Sequence, residues 1–406
     1  MTLQEGVYHA PGARPGRALV LFFLQAAPGA DAATVGAALQ RLWNVWRGLV
    51  RGAVVDLPGH PVPADALTVL LGYGQKAFTL PGARRAVPAA LLTGSFRSPQ
   101  PMGGGRVVVG SGLSYSPEVR QNPATEEIAV QVVAETQLAV NRVVVETWKA
   151  THDGTDPATG VAPLTLTAFY QGFQRADGRS WIDFHDGVSN LRSEERAGVI
   201  TIKPTGDDEQ DWLVGGTYLA FLRLSVDLAR WRGIDRAAQE LLVGRDKLTG
   251  APITAVGADG PVTVAGCPVA GTTEVIEPGN EAFREPPDVT DPVVDLSHVQ
   301  RANHHARPAS DASSLRIFRQ GYEFLEPHGA APGFRAGLNF VSFQDTPDRV
   351  VRILRQPTWL GRTNFGGDPD VDPAAAAALL SVQAGGTYVV PPVDPVEPFP
   401  GAGIFA

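Results

Sequence analysis

Apolar residues follow two rhythms along this chain. "RALVLFFLQA" (17–26) is almost continuously apolar over the length of one strand, the pattern of a strand buried on both faces. "DAATVGAALQRLWNVWRGLVRG" (31–52) then repeats Val35, Leu39, Leu42, Val45, Trp46 and Leu49 at spacings of three and four. That spacing predicts an amphipathic helix, with Asp31 as N-cap and Gly52 as stop. Strands at 66–74, 126–135 and 163–173 and a helix at 136–151 complete the first half. Strand–helix–strand, twice over, predicts a ferredoxin-like unit, an antiparallel sheet with helices on one face.

The second half repeats the rhythm without repeating the sequence. A strand and a helix cover 215–234, the helix opened by Ser225 or Asp227. A helix or turn at 296–303 and strands at 314–324 and 337–344 follow. A helix at 345–357 starts in acidic residues and stops at Pro357, and 378–392 closes the chain. The expected fold class is α+β, two ferredoxin-like halves, with an N-terminal domain over 1–160 and a C-terminal domain over 161–406. Two segments stand outside the pattern. One is a Pro/Gly-rich insertion at 81–118; the other, 250–294, reads as a covering loop long enough to wall off a site.

Composition narrows the function. The 406 residues are 44% apolar, enough for a large core, and 45 Gly with 34 Pro imply many turns. A net charge of −8 argues against general nucleic-acid binding. Cys267 is the single cysteine, so an internal disulfide and any cysteine-built zinc or iron–sulfur site are excluded. Met1 and Met102 are the two methionines, so few side chains oxidise readily. The N-terminus shows no secretory pattern, and no apolar run reaches the ~18 residues that span a membrane. The expectation is a soluble, cytoplasmic protein with no membrane partner.

Two stretches carry candidate chemistry. "WIDFHDGVSN" (181–190) sets an acid, Asp186, against a turn. Asp-Gly makes turns, and Ser and Asn cap helices; the same residues also suit an acid held at the edge of a cavity. "HVQRANHH" clusters His298, His304 and His305. His298 and His305 lie two helical turns apart, which admits a zinc-type site but matches no known signature. A haem iron needs one histidine, and without Cys-x-x-Cys-His such a haem is held non-covalently. His9 and His60 lie in loop contexts, and His152 and His328 lack a partner pattern.

Read together and in order, "WIDFHDGVSN", "GGTYLAFLRLSVDLARW", "LLVGRDKLTGAPI", "HVQRAN", "RIFRQGYEF" and "GLNFVSFQ" resemble the dye-decolorizing (DyP-type) peroxidase family. "LTVLLGYGQKAF" (67–78) extends the resemblance into the first half, so that it runs to about residue 350. The resemblance implies a haem b peroxidase with its haem pocket in the C-terminal half. The family's Gly-x-x-Asp-Gly motif falls on Asp183–Gly187, with Asp186 as the distal carboxylate. Asp183 stands where the family has glycine, a departure that alters the loop backbone or adds a second acid near the haem. His298 matches the axial ligand of a His-x-x-x-x-Asn stretch ending at Asn303. The Pro-Arg pair that should follow is His304–His305 here, which changes the expected propionate contacts.

Arg319, in an Arg-x-Gly-aromatic stretch, matches the distal arginine, with Arg316 the runner-up. Three positions apart on a strand, these two should face opposite sides. The implied haem contacts are His298, Gly187, Val188, Ser189, Asn303, His304 and Arg319. In this reading Asp186 moves a proton of hydrogen peroxide, and Arg319 keeps Asp186 ionised and steadies charge on the departing oxygen. His185 either assists or points away. The partners implied are hydrogen peroxide and an organic electron donor, and a homo-oligomer is compatible. Bulky dyes would react at the surface through Trp148, Trp181, Trp212, Trp231, Trp359 or Tyr322. The alternative is a haem-handling protein, a carrier or iron-release factor, that needs His298 but not Asp186 with Arg319. A single-substrate oxidase and a haem-free assembly protein are further alternatives.

Overall fold

The computed structural model describes residues 1–7, 18–93, 96–102, 105–116, 118–122, 124–264, 288–303, 315–356, 359–363, 365 and 378–405. In the first half, β1 (Ala18–Ala26), β2 (Thr68–Tyr73), β3 (Ile128–Ala134) and β4 (Leu164–Phe173) lie in the order β2-β3-β1-β4, all antiparallel. In the second, β5 (Thr217–Val226), β6 (Phe318–Pro327), β7 (Phe334–Gln344) and β8 (Leu380–Val390) lie in the order β6-β7-β5-β8. Counting strands within each half, both orders read 2-3-1-4, so the chain builds one ferredoxin-like sheet twice. The halves join through one residue pair at each seam, Glu323 with Phe173 and Val389 with Tyr73. The joined sheet closes into a barrel, and Ser114–Tyr115 adds a short strand beside β8.

Closure explains why β1 reads as continuously apolar. Val20, Phe22 and Leu24 face outward and pack on Leu39, Leu42 and Trp46 of helix α1 (Ala32–Val50). The alternate residues Leu19, Leu21 and Phe23 face the barrel interior, where Phe23 meets Phe221 at 5.9 Å and Tyr388 at 5.7 Å between ring centres. Each such side chain contributes ~1.5–3 kcal/mol when fully buried. α1 starts where Asp31 accepts a hydrogen bond from the Thr34 amide at 2.8 Å. Helix α2 (Gln137–Asp153), capped by Thr136, packs beside it.

The outer face of the second sheet is covered differently. Helix α3 (Ser193–Ile200) turns Val199 and Ile200 into the barrel interior, and the helices over the outer face include α4 (Arg236–Val243), α5 (His298–Asn303) and α6 (Asp348–Leu354), none longer than 8 residues, against 19 in α1 and 17 in α2. Short helices cannot fill that face as α1 and α2 fill the other, and a cavity remains over β5, β6 and β7.

Three expectations change. β4 pairs with β1 along its length, so the N-terminal sheet runs through Phe173, past the boundary expected at residue 160. The helix after β5 is opened by Asp227, which accepts from the Arg230 amide, and not by Ser225. The segment 250–294 is not a loop throughout: Ile253–Gly257 pairs with Gly260–Thr263, and Pro292–Asp295 forms a helical turn. Its residues 265–287, with Cys267, and also His9, His304, His305 and Pro357 lie outside the described residues. Among the described residues no helix is long and apolar enough to cross a membrane.

Candidate active site

The cavity is apolar over most of its wall, with Leu222, Leu224 and Val226 from β5, Leu338 and Phe340 from β7, and Val350 and Ile353 from α6. His298, Asp186, Gly187, Val188, Ser189, Arg319, Arg316, Arg245, His185 and Glu323 interrupt it. Every lining residue falls between Ser180 and Leu380, in the C-terminal half.

α5 carries His298 to the wall. The ring lines the cavity, while Nδ1 is buried without a hydrogen-bond partner among the described residues. Burial, assisted by the cations of Arg319 and Arg245, pushes its pKa down to about 4. The imidazole is therefore neutral at physiological pH, with a lone pair to give. Trp359 lies against the ring, 5.3 Å between centres.

The opposing acid sits in a loop held at several points. Asn190 spans the backbone of Arg319: its Oδ1 accepts from the Arg319 amide at 3.0 Å, and its Nδ2 donates to the Arg319 carbonyl at 2.7 Å. Ser189 Oγ accepts from the buried Arg245 at 2.6 Å. Arg179 donates to the carbonyls of Asp183, Lys247 and Leu248 and meets His185 Nε2 at 2.8 Å. The Ser and Asn after Asp186 are thus anchors to neighbouring elements rather than helix caps. His185 is tied to Arg179, and burial with that cation lowers its pKa.

Asp183, at the place of the family's glycine, adopts the left-handed backbone that favours glycine, with φ at +67°. Asp is among the few residues that tolerate this conformation. Its carboxylate points to solvent, 3.6 Å from Lys247 Nζ, and does not line the cavity, so it is not a second acid there. That place belongs to Glu323, which lies just past the Arg-x-Gly-aromatic stretch. Glu323 is 6% exposed and lines the cavity. Burial, then the charge of Asp186, raises its pKa to about 8. The signal was present in "RQGYEF": Arg319, Gly321 and Glu323 alternate onto one face of β6.

The arginines also depart from expectation. Arg316 and Arg319 both line the cavity, because β6 begins at Phe318 and strand parity does not reach back to Arg316. Arg316 is buried and bonded to Glu195 of α3 at 3.0 Å. The expected Asp186–Arg319 ion pair is not formed among the described residues. Instead the Asp186 carboxylate leans over Gly321, so closely that a Cβ there would lie 2.6 Å from Oδ2. Its Oδ1 accepts from the Gly187 amide at 2.8 Å. Burial, with Arg319 nearby, brings the pKa of Arg245 down to about 10, which leaves it cationic.

The model for Dyp-type peroxidase, C-terminal, matches residues 177–394. The chain belongs to the Dyp-type peroxidase family. It is 27% identical over 226 residues to a dye-decolorizing peroxidase of Thermobifida fusca, a match spanning 54% of this chain and 46% of that one. The chain thus matches about half the length of that curated relative. Its fold is similar to a DyP-type peroxidase of Cellulomonas bogoriensis (TM-score 0.66, 22% identity, 98% of this chain and 96% of the other). It is also similar to ferric DtpA of Streptomyces lividans (TM-score 0.65, 21% identity, 100% and 97%).

Family membership implies a haem, and the residues suit one. A neutral imidazole faces an apolar cavity, and the guanidinium groups of Arg245 and Arg319 stand at its wall to meet carboxylate side groups. Among the described residues no group of three His, Cys, Asp or Glu side chains is placed to hold a bare metal ion. Asn303 ends α5, and its side chain lies outside the described residues.

Proposed function

We propose that the protein is a haem b peroxidase, with the haem held non-covalently, that reduces hydrogen peroxide and oxidises organic or phenolic donors. The observation that carries this reading is one apolar cavity lined by His298, Asp186 and Arg319 together. His298 would bind the iron, and Gly187, Val188 and Ser189 would border the haem edge. When bound, the haem supplies the electrons that complete the reduction of peroxide. The protein's own part is acid–base and electrostatic. Asp186, its carboxylate directed over Gly321, accepts a peroxide proton, a role worth ~10²–10⁴-fold in rate. Arg319, without an ion pair among the described residues, is left to stabilise negative charge on the departing oxygen.

Organic donors too large for the cavity would react through aromatic side chains. Trp181 and Trp359 line the cavity, whereas exposed Trp148 stacks on His152 of α2 in the other half.

The test is reconstitution with haem, followed by peroxide-dependent oxidation of a generic dye. Wild type should take up haem with a histidine-ligated spectrum and oxidise the dye. His298→Ala should fold but retain little haem. Haem uptake without dye oxidation would favour the haem-handling alternative, and an unchanged spectrum in His298→Ala would place the ligand elsewhere.

A further inference from the structure

We propose that Glu323 is a second catalytic acid of this cavity, donating a proton to the departing oxygen of peroxide while Asp186 takes one from the other oxygen. The proposal rests on the peroxidase reading above and extends it to Glu323, a residue to which the resemblance assigns no role.

The geometry begins with β6. Residues two apart on a strand lie ~6.5–7 Å from each other on the same face. Arg319, Gly321 and Glu323 occupy three successive places of that kind on the cavity side. Gly321, which has no side chain, leaves the middle place open, and the Asp186 carboxylate fills it from the facing loop. A cation, a carboxylate and a second carboxyl therefore stand in line along one wall. A small molecule between Asp186 and Glu323 would have an acid group on each side.

The two carboxyl groups differ in environment. Asp186 is solvent-exposed and its Oδ1 accepts the Gly187 amide. Glu323 is buried, and its Oε2 has no hydrogen-bond partner among the described residues. The charged groups facing Glu323 are Asp186, Asp177 and Arg175 from the 175–187 loop, together with Arg319 beyond Gly321. Asp186 and Asp177 favour the protonated acid, whereas Arg175 and the Trp181 amide oppose it. Its strand neighbours in register, Phe173 and Leu338, add no charge. Burial decides the balance, and Glu323 keeps its proton at neutral pH. Where environment holds one carboxyl of a facing pair neutral, that one serves as the acid and its partner as the base.

The step balances. One peroxide oxygen gives its proton to Asp186. The O–O bond breaks with its electron pair going to the other oxygen, which takes the Glu323 proton and leaves as water. The two electrons required by the remaining oxygen come from the haem of the reading above. Asp186 ends protonated and Glu323 ionised, and one proton returned across Gly321 restores both.

The experiment has two arms. On haem-free protein, infrared difference spectra of wild type minus Glu323→Gln should show a neutral carboxyl band at pH 6–7 that titrates away near pH 8. Asp186→Asn should retain that band. On haem-loaded protein, rapid mixing with peroxide should show Glu323→Gln slowed at least ~10-fold at pH 6–7. The wild-type rate should fall above about pH 8, and Glu323→Gln should lack that fall. Absence of the band, or a Glu323→Gln rate and pH profile equal to wild type, would overturn the proposal. Failure of the peroxidase reading looks different, since haem-loaded wild type would itself be inert to peroxide. If Glu323→Gln does not fold, the band is sought in wild type minus Glu323→Asp as a shift in its titration, and no such shift overturns the assignment.

Discussion

Gly321→Ala tests whether the position of the Asp186 carboxylate matters. A Cβ at residue 321 would sit 2.6 Å from Asp186 Oδ2 and 3.2 Å from Leu338 Cδ1. Ordinary contact begins at 3.4 Å, so the carboxylate must retreat by about 0.8 Å and the leucine methyl by about 0.2 Å. Both are ends of side chains, and Gly321 sits in β6 without the positive φ that would require glycine, so the fold should survive. A displacement of ~1 Å at a reacting group costs up to ~10²-fold in rate. The expected loss in peroxide activation is therefore ~10–100-fold, or ~1.4–2.7 kcal/mol in the barrier. Rapid mixing measures it, with the haem spectrum and thermal midpoint as controls. Because the substitution acts through Asp186, Gly321→Ala combined with Asp186→Asn should be no slower than Asp186→Asn alone. A wild-type rate in correctly folded, haem-loaded Gly321→Ala would refute the role given to Asp186, and so would additive losses in the double variant.

The remaining predictions concern the groups around it. The Glu323 pKa is raised on folding, so its contribution to stability is fully present below about pH 4.5 and is lost as pH rises through about 8. In haem-free protein the stability advantage of Glu323→Gln over wild type should grow across that window, by up to ~5 kcal/mol, and urea unfolding at a series of pH values that showed a constant difference would contradict it. Arg319→Leu should slow peroxide activation at least ~10²-fold with little loss of stability. Arg316→Leu strips Glu195 of its cationic partner, leaving it the Arg192 amide, and should instead lower stability by ~1–3 kcal/mol; equal kinetic effects in the two would count against this division. Asn190→Ala removes both bonds to the Arg319 backbone and should cost ~1–3 kcal/mol by chemical denaturation. Asp183→Gly should be tolerated within ~1 kcal/mol, whereas the β-branched Asp183→Val should be destabilised by more than that in a thermal melt, since φ is +67° there.

Periodicity alone set much of the architecture. The apolar spacing in α1 and the continuous run in β1 specify a helix packed on a twice-covered strand, because the period of 3.6 or 2 decides which residues can share a face. The order of elements likewise carries the two ferredoxin-like halves, and the motifs single out His298, Asp186 and Arg319, which the fold brings to one cavity. What a linear pattern could not hold was distance between segments. The closure of the barrel depends on two single-pair seams between strands more than a hundred residues apart. The anchoring of Asn190 on Arg319, the place of Asp186 over Gly321, and the parity of Arg316 are all set by how the 175–190 loop meets β6. Glu323 shows the division most clearly. Its alternation with Arg319 is written in the sequence, but its neutral state comes from burial beside Asp186, and burial is a property of the packed molecule.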